Sequence, residues 1–383
     1  MLRSILKLVA AGILSVVALP AFADIAAFNA AMKAKDFKAA TAAAAETWPT
    51  LDKSSEDIAL IAREFGFAAH FSGDHVAAKT YAEFAVARDT AESSRVVSAA
   101  LLRLAEHKLD PSRATRTQLS DAMTARAAQP GLDNISYLAV DALLAYDFEK
   151  GNWKDAQQSS ELAVQLTTRG GSVFLLQKRR FELYNAVADY LAQKKRDTYD
   201  DLTNLRKAML DDIDAMPSEE AAERFVPLYW EVTAWHGSLE SHLYSGTEKR
   251  FIEQRRKQEG QEDKAKIAAG EKPTARRERL LHHHDIEDPC RPKLEMKRIP
   301  QYPSSAMFRG MVGAVILQVD IDETGAVKNP KILAAAPEKF FGKAVLDNYQ
   351  DMRFERSEES KASNCGPIAE TGHPVTFFFH IAR

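Results

Sequence analysis

The stretch Val312-Gly313-Ala314-Val315-Ile316-Leu317-Gln318-Val319-Asp320-Ile321, with Asp322-Glu323-Thr324-Gly325 and then Val327 to Leu333 after it, decides the fold of the last quarter of the chain. Val315, Leu317, Val319 and Ile321 recur at every second residue, the period of a strand that buries one face. The Asp-Glu-Thr-Gly segment is a turn, with Gly325 where a positive φ is needed. Val327 to Leu333 then reads as a second strand, so the pair forms a hairpin. Downstream, Phe340 to Phe354 reads as an amphipathic helix, with Phe341, Val345 and Tyr349 on one face. His373 to Ile381 is a third strand. The order β-β-α-β predicts a small antiparallel sheet covered on one face by its helix.

Upstream the texture is different. From Asp24 to about Tyr244 the chain is rich in Ala, Leu, Glu, Lys and Gln, which lose little rotamer freedom in a helix. Ile58, Ile61, Ala62, Phe65 and Ala69 lie on one helical stripe. A repeat is visible. Lys35-Asp36-Phe37, Gly73-Asp74-His75 and Gly151-Asn152-Trp153 each precede an Ala-rich helix, and Asp36 and Asp74 are 38 residues apart. A degenerate copy is expected near Ser112. The pattern resembles tetratricopeptide-like helix–turn–helix arrays over about residues 24–190, with a longer unit than that family has. Stacked helix pairs of this kind bury what one pair cannot, and the resemblance implies a surface that binds peptide or protein. The other reading of this region is an irregular helical bundle without a ligand.

The whole is thus α+β and multidomain. The expected organisation is a signal peptide at 1–23, an all-α helical-repeat domain at 24–246, a charged linker at 247–287 and the β-β-α-β domain at 288–383. The linker carries both charge signs densely and almost no apolar residues, so it is expected to be a solvated spacer, helical between Glu248 and Ala269. The leader has Arg3 and Lys7, an apolar run from Leu8 to Leu19, and Ala21-Phe22-Ala23 as a cleavage site before Asp24. Cleavage predicts an exported, periplasmic chain. An uncleaved inner-membrane anchor facing the periplasm is the alternative.

With Lys and Arg at 51 and Asp and Glu at 54, there is no global basic field, and nucleic acid is excluded as a partner on that ground. Removing the leader takes away two more positive charges. No nucleophile elbow, phosphate-binding Gly loop, His-Glu-x-x-His or dinucleotide fingerprint occurs, so no enzyme and no cofactor is expected. His282, His283 and His284 are weak candidate metal ligands, since consecutive histidines cannot all face one ion from a regular element. Cys290 and Cys365 are the two cysteines. In an oxidising compartment they are expected to form a disulfide bracketing the C-terminal domain, worth about 4.5 kcal/mol on a chain-entropy estimate. A pair of free thiols is the alternative.

One further pattern joins these segments. Pro300-Gln301-Tyr302-Pro303, Ala306, Gly310, Gly313, the strand ending Val319-Asp320-Ile321-Asp322, Gly325, Val327, Phe340-Phe341 with Ala344 and Val345, Met352-Arg353-Phe354, Gly372 and the Val375–Phe379 strand occur in order. This set resembles the C-terminal domain of the TonB family, periplasmic energy transducers of Gram-negative bacteria, over about residues 295–383. The resemblance implies a module that binds the TonB box of an outer-membrane transporter by adding it as a strand beside the terminal strand. It implies partner-binding roles for Gln301, Tyr302 and Pro303 and for Val375, Phe377, Phe379 and Ile381. A second copy of the chain, pairing through the same sheet edge, is the other partner it admits. Two departures matter. The leader contains no His, and the helical region stands where the family has a long Pro-rich spacer.

Overall fold

The computed structural model describes residues 25–192, 195–244, 249–269, 274, 280, 293–308, 312–336, 338–356 and 367–379. The leader, His282–His284, Cys290, Cys365 and Ile381 lie outside these residues. The chain divides into two compact units, one up to Ala188 and one from Asp189 onward. The expected boundary at 246 falls inside the second.

The first unit is all helix: α1 (Ala26–Lys33), α2 (Phe37–Thr47), α3 (Ile58–Ser72), α4 (His75–Arg88), α5 (Glu92–Leu109), α6 (Arg113–Ala127), α7 (Asn134–Lys150), α8 (Trp153–Arg169) and most of α9 (Leu175–Leu191). Helices α2, α4 and α6 start on a side-chain cap. The carboxylates of Asp36 and Asp74 accept from the N–H of Ala39 and Ala77, each at 3.0 Å, and satisfy donors a helix start leaves open. Ser112 caps α6 where the degenerate copy was expected, in a capping box with Thr115. Gly73, at φ 88°, ends α3 in the left-handed conformation and lets the chain turn directly into α4. Small residues set the spacing. Ala78, Ala82 and Ala85 of α4 are fully buried, and a Cβ at Gly66 would stand 2.9 Å from Leu101 Cδ2 and 3.2 Å from the Ala78 carbonyl.

Buried charge also holds this unit. Arg116 of α6 grips Asp147 of α7 through Nε at 2.9 Å and Nη2 at 2.7 Å, and Ser159 of α8 donates to the same carboxylate at 3.0 Å. Burial raises the Asp147 pKa, against the pull of Arg116 and Ser159. Glu64 has no such grip. Its burial pushes its carboxyl to about 7, with the neighbouring Arg63 opposing and Asp133 adding to the rise.

The second unit contains α10 (Lys195–Ala215), α11 (Glu219–Glu223), α12 (Val226–Tyr244), α13 (Lys249–Ala268), β1 (Lys293–Met296), α14 (Ser304–Met307), β2 (Gly313–Ile321), β3 (Val327–Ala336), α15 (Glu338–Leu346), β4 (Met352–Glu355) and β5 (Glu370–Phe379). The order β3-β2-β5 makes a three-stranded antiparallel sheet, and β1 pairs with β4 in a small second sheet. The hairpin turns where expected. Asp322 Oδ1 accepts from the N–H of Thr324 at 2.9 Å and of Ala326 at 3.0 Å, and these bonds with the Thr324 hydroxyl hold its pKa low. Gly325 has φ 81°, and a Cβ there would lie 2.0 Å from the Phe354 carbonyl oxygen, so the turn admits no side chain.

Three expectations need correction. The helix expected over 340–354 ends at Leu346, and Tyr349–Asp351 is a short 3-10 turn. Met352 and Phe354 then point inward and Arg353 and Glu355 outward, because a period of two suits a strand opposite β1. The connector is not wholly a solvated spacer. Ile252 of α13 is fully buried, Phe251 meets the Tyr199 ring at 5.8 Å, and Arg255 pairs with Asp200 at 2.5 Å.

The sheet was expected to be covered on one face, but both faces are covered. Val315, Leu317, Val319 and Ile321 pack with Phe341 and Val345 of α15 and with Phe377 and Phe379. The opposite face of β2 carries Ala314 and Ile316, both fully buried, and this face lies under α12. Leu228, Tyr229, Trp230, Val232, Trp235, His236, Leu239 and Leu243 of α12 are all buried, as expected of a helix packed on more than one side. His236 meets the Tyr199 ring of α10 at 4.6 Å and Thr203 Oγ1 at 2.9 Å.

Candidate functional site: the edge of the terminal strand

Strand β5 occupies one end of the order β3-β2-β5, and no described strand pairs with its far side. A strand in that position turns backbone N–H and C=O groups away from its own sheet. Its register runs from Gly313 opposite Phe379 through Ala314 opposite Phe378 to Gln318 opposite Pro374 and Val319 opposite His373. Pairing shifts between Val319 and Ile321, so the strand is irregular at its start and regular at its end.

Asp320 fixes the irregular start. Its Oδ1 accepts from the Gly372 N–H at 2.9 Å and its Oδ2 from Asn329 Nδ2 at 2.8 Å. These bonds, Asn329 first, lower its pKa. Gly372 takes φ 75° there. Next to it, His373 is buried, with Nδ1 2.9 Å from Glu370 Oε2 and its ring 4.9 Å from that of Phe354.

The side chains expected to meet a partner divide by face. Phe377 and Phe379 are buried, and the Phe379 ring lies 4.7 Å from that of Phe341. Val375 packs half-buried against the same core. These three hold the strand in place, and what they leave toward a partner is backbone. Ile381 lies outside the described residues. Phe378, on the α12 side, is 41% exposed, although the sequence did not single it out. Its ring lies beside Gly237 of α12, where a Cβ would stand 2.7 Å from Cε1. The alternation that buries Phe377 and Phe379 also turns Phe378 to the opposite face, so a strict period-two reading would have found it.

Gln301, Tyr302 and Pro303 precede α14. Gln301 is exposed. Tyr302 is half-buried, with its ring 5.6 Å from Phe341 and 5.9 Å from Phe379, and burial raises its pKa. It stands close enough to Tyr190 to add to the rise that burial gives that phenol, to about 12. Tyr302 therefore ties its loop to the ring cluster beneath β5. The exposed apolar side chains of the same segment are Ile299, Met307 and Phe308, which the sequence reading passed over. Ala306 is fully buried between them and anchors the turn.

The remaining site expectations have no geometry here. The histidine run and both cysteines lie outside the described residues, and among the described residues no three His, Cys, Asp or Glu side chains are grouped to hold a metal. No described helix is long and apolar enough to cross a membrane.

Residues 298–367 match the family described as the Gram-negative bacterial TonB protein C-terminal. A similar protein is "Protein TonB" of Yersinia enterocolitica, 42% identical over 64 residues, which are 17% of this chain and 25% of that protein. The chain therefore matches about a quarter of the length of that relative. This part of the chain is similar to the TonB C-terminal domain. The family match ends at 367, three residues before β5 begins.

Proposed function

We propose that this protein serves TonB-dependent transport from the periplasm, binding an outer-membrane transporter by accepting a short segment of it as a further strand beside β5. The observation that carries the reading is the position of β5. It is rigidly backed by Val375, Phe377 and Phe379 on the core, and its far side has no described strand. Strand addition needs a fixed template with outward backbone groups, and a partner backbone satisfies them without demanding much of its side chains. The TonB C-terminal domain supports the choice of partner.

The helical unit serves as the scaffold that presents the module. Its cap-to-cap period of 38 residues between Asp36 and Asp74, and again to Ser112, supports a repeat that binds a second protein. The module has a recognition role and not a catalytic one. The test uses the full-length chain immobilised and offered a detergent-solubilised TonB-dependent transporter. Retention is expected, and a transporter lacking its N-terminal box should pass through. Equal retention of both transporters would contradict strand addition.

A further inference from the structure

The segment from Lys297 to Phe308 holds apolar side chains in solvent on a fixed base. Elsewhere among the described residues the exposed large apolar side chains stand singly, at Val76, Leu109, Val173 and Phe378. Here Ile299 is 78% exposed, Met307 51% and Phe308 86%. These are not frayed ends. Pro300 and Ala306 are buried, and Tyr302 between them packs its ring on Phe341 and Phe379. The carbonyls of Pro303 and Ser304 accept from the N–H groups of Met307 and Phe308, each at 2.9 Å. The three side chains therefore project from a backbone pinned to the core. Apolar surface concentrated on an ordered backbone marks an interaction site.

The charge beside it has one sign. Lys297 and Arg298 directly precede Ile299, and both are exposed. Arg309 follows Phe308 in the sequence, and no Asp or Glu occurs between Glu295 and Asp320. Arg298 approaches Asp351 at 3.8 Å with 80% of its side chain exposed, a weak surface pair that leaves the cation available.

Cations beside exposed Ile, Met and Phe supply both halves of binding to a lipid surface. The cations meet anionic headgroups, and the apolar side chains enter the boundary of the acyl chains. The degree of exposure favours lipid over a protein. Ile299 and Phe308 stand almost clear of neighbouring atoms, and a fluid bilayer surface accepts protruding side chains in any arrangement. A protein would need a cavity shaped to each.

We infer that the segment 297–308 docks on an anionic lipid surface, with Lys297 and Arg298 at the headgroups and Ile299, Met307 and Phe308 inserted beneath them. The inference does not rest on strand addition at β5.

The experiment uses residues 24–383, because the apolar leader would itself bind lipid. The chain is sedimented with vesicles of phosphatidylcholine alone, or of phosphatidylcholine mixed equally with phosphatidylglycerol. Binding is expected to the anionic vesicles and should fall as salt is raised. The double variant Ile299→Ser/Phe308→Ser should bind at least tenfold more weakly, since the inserted apolar area is lost. Lys297→Gln/Arg298→Gln should bind at least fivefold more weakly. Both should keep the wild-type unfolding midpoint, because the altered side chains are exposed. Phe308→Trp should bind like the wild type, and bromine-labelled lipid should quench its fluorescence beyond that of the wild type. No binding to anionic vesicles would overturn the inference, as would equal binding by the wild type and the Ser variant. A Ser variant that loses a detergent-solubilised transporter, while the wild type ignores the vesicles, would make this a protein interface and overturn the lipid assignment.

Discussion

The Phe378 ring lies against Gly237: a Cβ there would stand 2.7 Å from Phe378 Cε1 and 3.4 Å from Ala314 Cβ, so a side chain at 237 must displace the ring. This contact joins a helix that precedes the charged connector to the last strand of the module. It predicts that Gly237→Val costs about 1–3 kcal/mol, because the helix must lift from β2 or the ring must leave its place. Thermal unfolding of the full chain measures this, and an unchanged midpoint would show that the helix is not seated there.

The same seat gives a prediction about fragments. Ala314 and Ile316 are fully buried under α12, so residues 286–383 alone would expose an apolar sheet face. That fragment should self-associate and bind a hydrophobic dye, whereas residues 189–383 should remain monodisperse. Sedimentation of the two fragments distinguishes the cases, and a well-behaved monomer of 286–383 would count against the role of α12.

In the helical unit, Arg116 and Asp147 form a bidentate pair whose carboxylate is fully buried. Removing one partner strands the other charge away from water, so Arg116→Ala should cost about 3–5 kcal/mol. Replacing both by apolar residues of similar volume should cost less than the single change. Chemical denaturation of the single and double variants checks the order.

Glu64 predicts a pH dependence of definite sign. Its folded pKa of about 7 lies above the ordinary 4.5, so the folded state holds its proton more tightly than the unfolded chain does. Below pH 4.5 the carboxyl is protonated in both states and its burial carries no ionisation penalty. As pH rises through 7 the penalty grows to about 3 kcal/mol. Glu64→Gln should therefore match the wild type near pH 4.5 and be more stable than it by up to that amount at pH 8. A stability difference independent of pH would contradict the burial of an ionisable Glu64.

Much of this architecture was legible in the chain. The Asp322–Gly325 turn, the hairpin on either side of it, the Ala-rich helices and the cap near Ser112 follow from local rules that the structure obeys. What was missed depended on pairing between distant segments. Met352-Arg353-Phe354 continues a helical stripe on paper, and only β1 as a partner makes it a strand. Ala314 and Ile316 look incidental beside Val315 and Leu317 until α12 supplies the second cover. Ile252 and Phe251 are too few to signal burial in a segment otherwise made of charge. At the candidate site, the pattern in the sequence favoured Phe377 and Phe379, whose rings the core consumes. Phe378, between them, is the ring left at the surface.

Strand β5 is proposed as a template for an added strand. Residue-resolved hydrogen exchange on the full chain, with and without a TonB-box peptide, is the decisive measurement. In the free protein the Phe377 and Phe379 amides should be protected and the Phe378 amide should exchange rapidly. With peptide bound, the Phe378 amide should slow by at least tenfold while those of β3 stay unchanged. A Phe378 amide that exchanges at the same rate with the peptide demonstrably bound would contradict strand addition at this edge.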